Sequence, residues 1–224
     1  MIYITGDTHI PIDISKLSGK RFPEQKMLTR DDFVIICGDF GGVWDGKNEE
    51  LYYRKWLDGK NFTTLFVDGN HENFHMLKQF PTVDFCGGKA RKIGENIYHL
   101  MRGEVYTIDE KKIFTFGGAS SHDRAFRIEG KSWWKEELPS DEEMQYARKN
   151  LEKCDGRIDA VITHCAPSSV QQMLCRDYET DILTDFFDEL KEKISYEKWF
   201  FGHYHVDCVL DERHIAVYYE KIPL

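Results

Sequence analysis

Five short polar stretches of this 224-residue chain each place metal-ligand or proton-carrying residues directly after an apolar run. Gly6-Asp7-Thr8-His9 follows Ile2-Tyr3-Ile4, and Gly38-Asp39-Phe40-Gly41-Gly42 follows Phe33 to Cys37. Gly69-Asn70-His71-Glu72 follows Leu65-Phe66-Val67. Thr163-His164 follows Ala160-Val161-Ile162, and Gly202-His203-Tyr204-His205 follows Trp199-Phe200-Phe201. Carboxylate oxygen, amide oxygen and imidazole nitrogen coordinate divalent cations, and imidazole also moves protons near neutral pH. Each piece alone is weak: a lone buried Asp or His is more often a satisfied structural residue, and Asn-His fits a simple Asx turn. Their joint occurrence carries the signal, with glycines that permit tight turns and close backbone approach.

Such residues act together only if the fold delivers them to one place. Short continuous apolar runs fit strands buried on both faces. In α/β sheets ligands bind beyond the carboxyl ends of strands, so these strand ends could share one sheet edge. Val105 to Ile108 and Lys112 to Phe116 flank Asp109-Glu110-Lys111 as a hairpin, and Ile215 to Tyr219 reads as one more strand. Ser140-Asp141-Glu142-Glu143 has capping-box spacing before Met144, Ala147, Leu151 and Cys154, which recur at helical period. Leu183, Phe186, Phe187, Leu190 and Ile194 form a second helical stripe, and shorter helices are expected near Glu49 to Leu57 and Asn73 to Phe80. Both stripes read as core packing. Alternating strands and helices give an α/β fold, and without a repeat or linker the chain reads as a single domain over 1–224.

Composition narrows the function class. A hydrophobic share of 41% with 31% charged residues is that of a soluble globular protein. No apolar run approaches the roughly 20 residues of a transmembrane helix, and the opening Met1-Ile2-Tyr3-Ile4 reads as a strand rather than a signal peptide. A cytoplasmic protein is expected. The net charge of −9 argues against non-specific binding to nucleic acid or membrane, although bound metal can make a local site positive. The six cysteines form no C-x-x-C pair and read as reduced core residues.

The five blocks, in order, resemble the signature of the calcineurin-like metallophosphoesterase superfamily: D-x-H, GD-x-x-G, GNH[ED], a lone His, then GH-x-H. They run from residue 6 to residue 205, nearly the whole chain. GDFGG departs from the GD-x-x-D-R-G form of phosphoprotein phosphatases, which argues against a protein Ser/Thr phosphatase. The resemblance implies two facing β-sheets flanked by helices and hydrolysis of a phosphate mono- or diester, as phosphatase or phosphodiesterase. It implies that Asp7, His9, Asp39 and His205 hold one divalent metal, and that Asp39, Asn70, His164 and His203 hold the other. Asp39 would bridge them, and a hydroxide between the two ions would attack phosphorus. His71 would not ligate but donate a proton to the leaving oxygen. This donor set, without thiolate, suits Mn, Fe, Zn, Co or Ni better than Ca or Mg. A non-catalytic scaffold of the same fold is the alternative, and retention of every ligand position speaks against it.

Softer candidates remain. Arg124 and Arg127, in a polar stretch after Gly117-Gly118, could grip substrate phosphate, against a solvated loop as the plainer reading. Glu72 could orient a ligand or simply start a helix. Trp44, Trp133 and Trp134 could stack on a base, though packing is the stronger reading; His75, His99 and His214 read as surface or packing residues.

Overall fold

The computed structural model describes residues 1–224. The strands are β1 (Ile2–Thr5), β2 (Phe33–Ile36), β3 (Thr63–Phe66), β4 (Thr82–Phe85), β5 (Gly88–Lys92) and β6 (Ile97–Leu100), then β7 (Glu104–Ile108) and β8 (Lys111–Phe116). They continue with β9 (Arg157–Thr163), β10 (Ser195–Phe201), β11 (Cys208–Val209), β12 (His214–Ala216) and β13 (Ile222–Pro223). The helices are α1 (Asn48–Asp58), α2 (Phe74–Leu77), α3 (Asp141–Lys153), α4 (Ser168–Leu174) and α5 (Ile182–Lys193). One sheet has the order β13-β1-β2-β3-β6-β5-β4, the other β11-β12-β10-β9-β8-β7.

Alternation along the strands builds the layers. Ile4, Ile35 and Leu65 point to an inner layer shared with Ile113, Ile162 and Phe200 of the second sheet. Their neighbours Val34, Ile36 and Phe66 point outward and pack on Leu57 of α1 and Leu77 of α2. On the far side, Phe114, Val161 and Trp199 meet Met144, Ala147 and Leu151 of α3 and Leu183, Phe186, Phe187 and Leu190 of α5. The expected α/β architecture, two facing sheets flanked by helices, is what forms. Because both faces of the central strands are covered, their sequences are continuous apolar runs. No helix is long and apolar enough to cross a membrane.

The elements differ from expectation in places with physical reasons. The hairpin turn is only Asp109-Glu110, both at positive φ, and Lys111 already pairs with Ile108. The last predicted strand shortens to His214–Ala216, because the amides of Tyr218, Tyr219 and Glu220 are taken by Asp207. Asn73 caps the start of α2 by accepting the Met76 amide, and the helix stops at Leu77, short of the expected Phe80. Strands β4, at the sheet edge, and β5, beside it, carry exposed Asp84, Lys89 and Lys92, so no apolar run marks them in the sequence.

A buried ion pair fastens the end of β3. Asp68 accepts from Arg102 Nε at 2.9 Å and Nη2 at 2.5 Å, while His99 Nε2 lies 3.0 Å from its other oxygen. Burial opposes the Asp68 charge, yet Arg102 and His99 outweigh it and hold the carboxyl below its usual range. The Asp68 carbonyl also accepts the Gly118 amide at 2.8 Å, tying the loop after β8 to β3 two residues before Asn70. Arg102→Met would leave the buried Asp68 carboxylate with His99 as its one side-chain partner. It should cost about 3–5 kcal/mol in urea unfolding of the metal-free protein; a loss below about 1 kcal/mol would show that this pair does not hold the strand end.

Candidate metal centre

The parallel pairing of β1 with β2, and of β9 with β10, brings the loops that follow them side by side. The amides of Thr8 and His9 donate to the Asp39 carbonyl at 3.1 and 2.8 Å. Gly38, at φ 90°, lies where any Cβ would collide with the His164 ring, and Gly202 lies where one would collide with the Asp7 carboxylate. His9, Asp39, His203 and His205 themselves hold positive φ values of 34, 45, 67 and 51°. Such backbone costs on the order of 1–3 kcal/mol per residue and concentrates at functional sites.

Asp7 and Asp39 are 0% and 2% exposed. The Asp7 carboxylate accepts the His203 amide at 3.0 Å and lies 3.0 Å from His205 Nε2. Asp39 Oδ2 lies 3.1 Å from His9 Nε2; its Oδ1 accepts the His71 amide at 2.8 Å and lies 3.3 Å from His164 Nε2. Asn70 Oδ1 is 3.2 Å from the same His164 nitrogen. Ligand atoms gather as Asp7–His9–His205, as Asp7–Asp39–His164 and as His9–Asp39–His71, each within 4.8 Å. His203 stands outside these groups, with its ring centroid 5.0 Å from that of His164. Arg127 Nη2 approaches His71 Nε2 at 3.4 Å and pairs with Asp123. Arg124 lies over Trp133 with its Nε 3.6 Å from buried Glu137, so the two arginines do not converge on one point.

The tautomers decide whether this donor set fits a cation. His164 Nδ1 lies 2.7 Å from the Cys37 carbonyl, which can only accept, so Nδ1 carries the proton and Nε2 offers its lone pair to Asp39 and Asn70. His9 Nδ1 lies 3.0 Å from Asp13, so its Nε2 lone pair faces Asp39 in the same way. Lone pairs thus converge on carboxylate oxygens, an arrangement that requires a proton or a metal cation between them. Without metal, protons fill the role. Burial lowers the His164 pKa, but Asp39 and Asp7 overcome it and raise it to about 10; the same balance, with Asp13 added, raises His9 to about 9. Burial and then His164 push His203 down to about 3, leaving a neutral ring of the kind that ligates. Burial lowers the His71 pKa, Asp39 pulls it back and Arg127 lowers it again.

Residues around the donors brace them. Glu72 is fully buried and accepts the amides of Gly41 at 3.2 Å and Gly69 at 2.6 Å, stapling two ligand loops together. Burial, then Asp39, raises its pKa to about 8. Ser121 meets Asn70 Nδ2 at 3.3 Å. Sequence reasoning missed Asp13, four residues past His9 in an irregular loop, and Lys16. Nothing in its sequence neighbourhood separates Lys16 from a surface lysine. It is fully buried, donates to the carbonyls of Asp7 and Tyr218, and lies 4.7 Å from the Tyr218 ring centroid. Tyr218 in turn stacks on His205 at 4.8 Å. Trp44 lies 6.3 Å from the His71 ring and packs on buried Trp134, so of the tryptophans it is the one beside the centre.

Comparison with known proteins agrees with this geometry. No curated protein matches the chain. The model of the calcineurin-like phosphoesterase family matches residues 1–207 of 224, a span that takes in every donor from Asp7 to His205. Strand ends from both sheets, His and Asp groups able to hold metal, and a match over most of the length agree that the chain belongs to the calcineurin-like phosphoesterase family.

Proposed function

We propose that the chain hydrolyses a phosphate mono- or diester with two divalent transition-metal ions held around Asp39. The observation that carries this reading is the convergence of His9 and His164 lone pairs on opposite oxygens of one buried carboxylate. Asp7, His9 and His205 would complete one ion's donors; Asn70, His164 and His203 would complete the other's. Bound there, the cations supply polarisation of the phosphoryl oxygens and a water acidified to near neutral pH. Glu72, Asp13 and Lys16 hold the donor loops in place, and Arg127 offers a guanidinium to phosphate beside His71. His71 transfers a proton from its ring to the departing oxygen. A second reading, in which His71 is itself a ligand, is favoured by its grouping with His9 and Asp39. The six free cysteines support a cytoplasmic setting, and pairing of β13 with β1 supports a single domain over 1–224.

Protons should leave as metal enters. With raised pKa values of about 9 and about 10, His9 and His164 hold protons at pH 7 and must release them to coordinate. Binding therefore tightens as pH rises toward those values and weakens as it falls. Calorimetry of Mn binding at pH 7, in buffers of different ionisation enthalpy, should show release of at least two protons per chain. Binding without proton release would contradict His ligation.

The role of His71 separates from metal binding through the leaving group. A nitrophenolate departs without a proton, whereas an alkoxide does not. His71→Asn should retain both metals, lower kcat on alkyl esters by about 10³–10⁴-fold, near the top of the general-acid range, and lower it less on nitrophenyl esters. Equal losses across the series would exclude proton donation, and loss of metal from the same samples would favour the ligand reading. An absence of hydrolysis by the metal-loaded wild type on every ester tried would leave the scaffold alternative.

A further inference from the structure

Beside His203 lies a pocket of about 130 Å³ whose lining differs in kind from the other side of the centre. Two tyrosines and two histidines are among its twelve lining residues. Tyr204 lies 5.1 Å from His203 and 5.2 Å from Tyr178 between centroids, and His122 lies 5.7 Å from His203. Tyr204 is fixed, its hydroxyl accepting the Ala166 amide at 3.2 Å and donating to Gln171 at 2.9 Å. The charged residues of the lining are Glu179 and Asp181; it contains no lysine or arginine. Asp181 Oδ1 caps α5 by accepting the amides of Leu183 and Thr184, both at 2.9 Å, which leaves Oδ2 for another partner. Around His71, by contrast, stand Arg127 and Trp44.

A phosphomonoester has one organic substituent, and that substituent must leave beside the proton donor. A second, retained substituent on phosphorus would need a place of its own, and the pocket beside His203 offers one. Tyrosine rings beside carboxylates, with no lysine or arginine in the lining, attract an ammonium group, while the rings also accept its methyl or methylene surface. Resting on the phosphoesterase reading above, we propose that this pocket binds the ammonium end of the retained alcohol, so that the substrates are phosphodiesters of a choline- or ethanolamine-type amino alcohol. In the reaction water adds oxygen to phosphorus and the bond to the other alcohol breaks. That alcohol takes a proton from His71, and the amino alcohol departs later as its phosphomonoester.

The test has a binding arm and a kinetic arm, both on the metal-loaded full chain. In the first, saturation-transfer NMR compares choline with its neutral carbon isostere 3,3-dimethylbutan-1-ol. In the second, kcat/KM is compared for 4-nitrophenyl phosphocholine, 4-nitrophenyl 3,3-dimethylbutyl phosphate, bis(4-nitrophenyl) phosphate and 4-nitrophenyl phosphate. Choline should bind in preference to its isostere, and the choline ester should be favoured over the isosteric ester by about tenfold or more. Both preferences should vanish in Glu179→Gln/Asp181→Asn, where Asn keeps the helix cap while the charges go. Tyr178→Leu, away from the cap, should weaken them independently. Equal handling of the isosteres, a preference that survives the double variant, or faster turnover of the monoester would overturn the pocket assignment. Hydrolysis of bis(4-nitrophenyl) phosphate would then still uphold the phosphoesterase reading. Selective choline binding without hydrolysis of any ester would instead uphold the pocket and overturn that reading.

Discussion

Two carboxylates, Asp7 and Asp39, are almost entirely removed from water, and the rest of the centre answers that constraint. A buried anion without compensation is costly enough that a carboxyl group ordinarily becomes protonated instead. Here both are held in the charged form. Burial opposes this, but His164, His9 and His205 more than compensate, and backbone amides of His71 and His203 add hydrogen bonds. The compensating imidazoles are themselves anchored on their far nitrogens, His9 by Asp13 and His164 by the Cys37 carbonyl. That anchoring turns the remaining lone pairs inward, toward carboxylate oxygens, which gives the centre groups that could hold a cation.

The fold meets this demand at its loops. Parallel strands from both sheets end near one another, but the donors reach their positions only because the backbone bends through positive φ at His9, Asp39, His203 and His205. That conformation is unfavourable, and bonds cross between the loops around it: Thr8 and His9 to Asp39, Glu72 to Gly41 and Gly69, Lys16 to Asp7 and Tyr218. The surroundings are then asymmetric. Arg127 and Trp44 stand near His71, whereas Tyr178, Glu179 and Asp181 lie toward His203. The asymmetry arises from segments outside the groups of Asp and His residues that could hold a metal.

Much of this was legible in the chain. The central strands announced themselves because burial on both faces makes them continuously apolar, and the residues after them stood out because glycine preceded most of them. Helices α3 and α5 were visible from their stripes and caps. What stayed hidden depends on three-dimensional proximity. Strands β4, at the edge, and β5, beside it, carry charge outward, so no apolar run marks them. Lys16 has the type of a surface residue and becomes buried only because the loops of Asp7 and Tyr218, distant in sequence, close over it. Arg124 and Arg127 looked equivalent in sequence, yet one turns to Trp133 and Glu137 and the other to His71.

In the proposed function Asp39 lies between two cation positions built from the donors on either side of it. Anomalous diffraction from crystals of the full chain grown with Mn would locate them. Two anomalous peaks about 3.5–4 Å apart, the spacing of two-metal sites, are expected on either side of the Asp39 carboxylate. A single peak remote from Asp39, or none after soaking at saturating Mn near neutral pH, would contradict this arrangement.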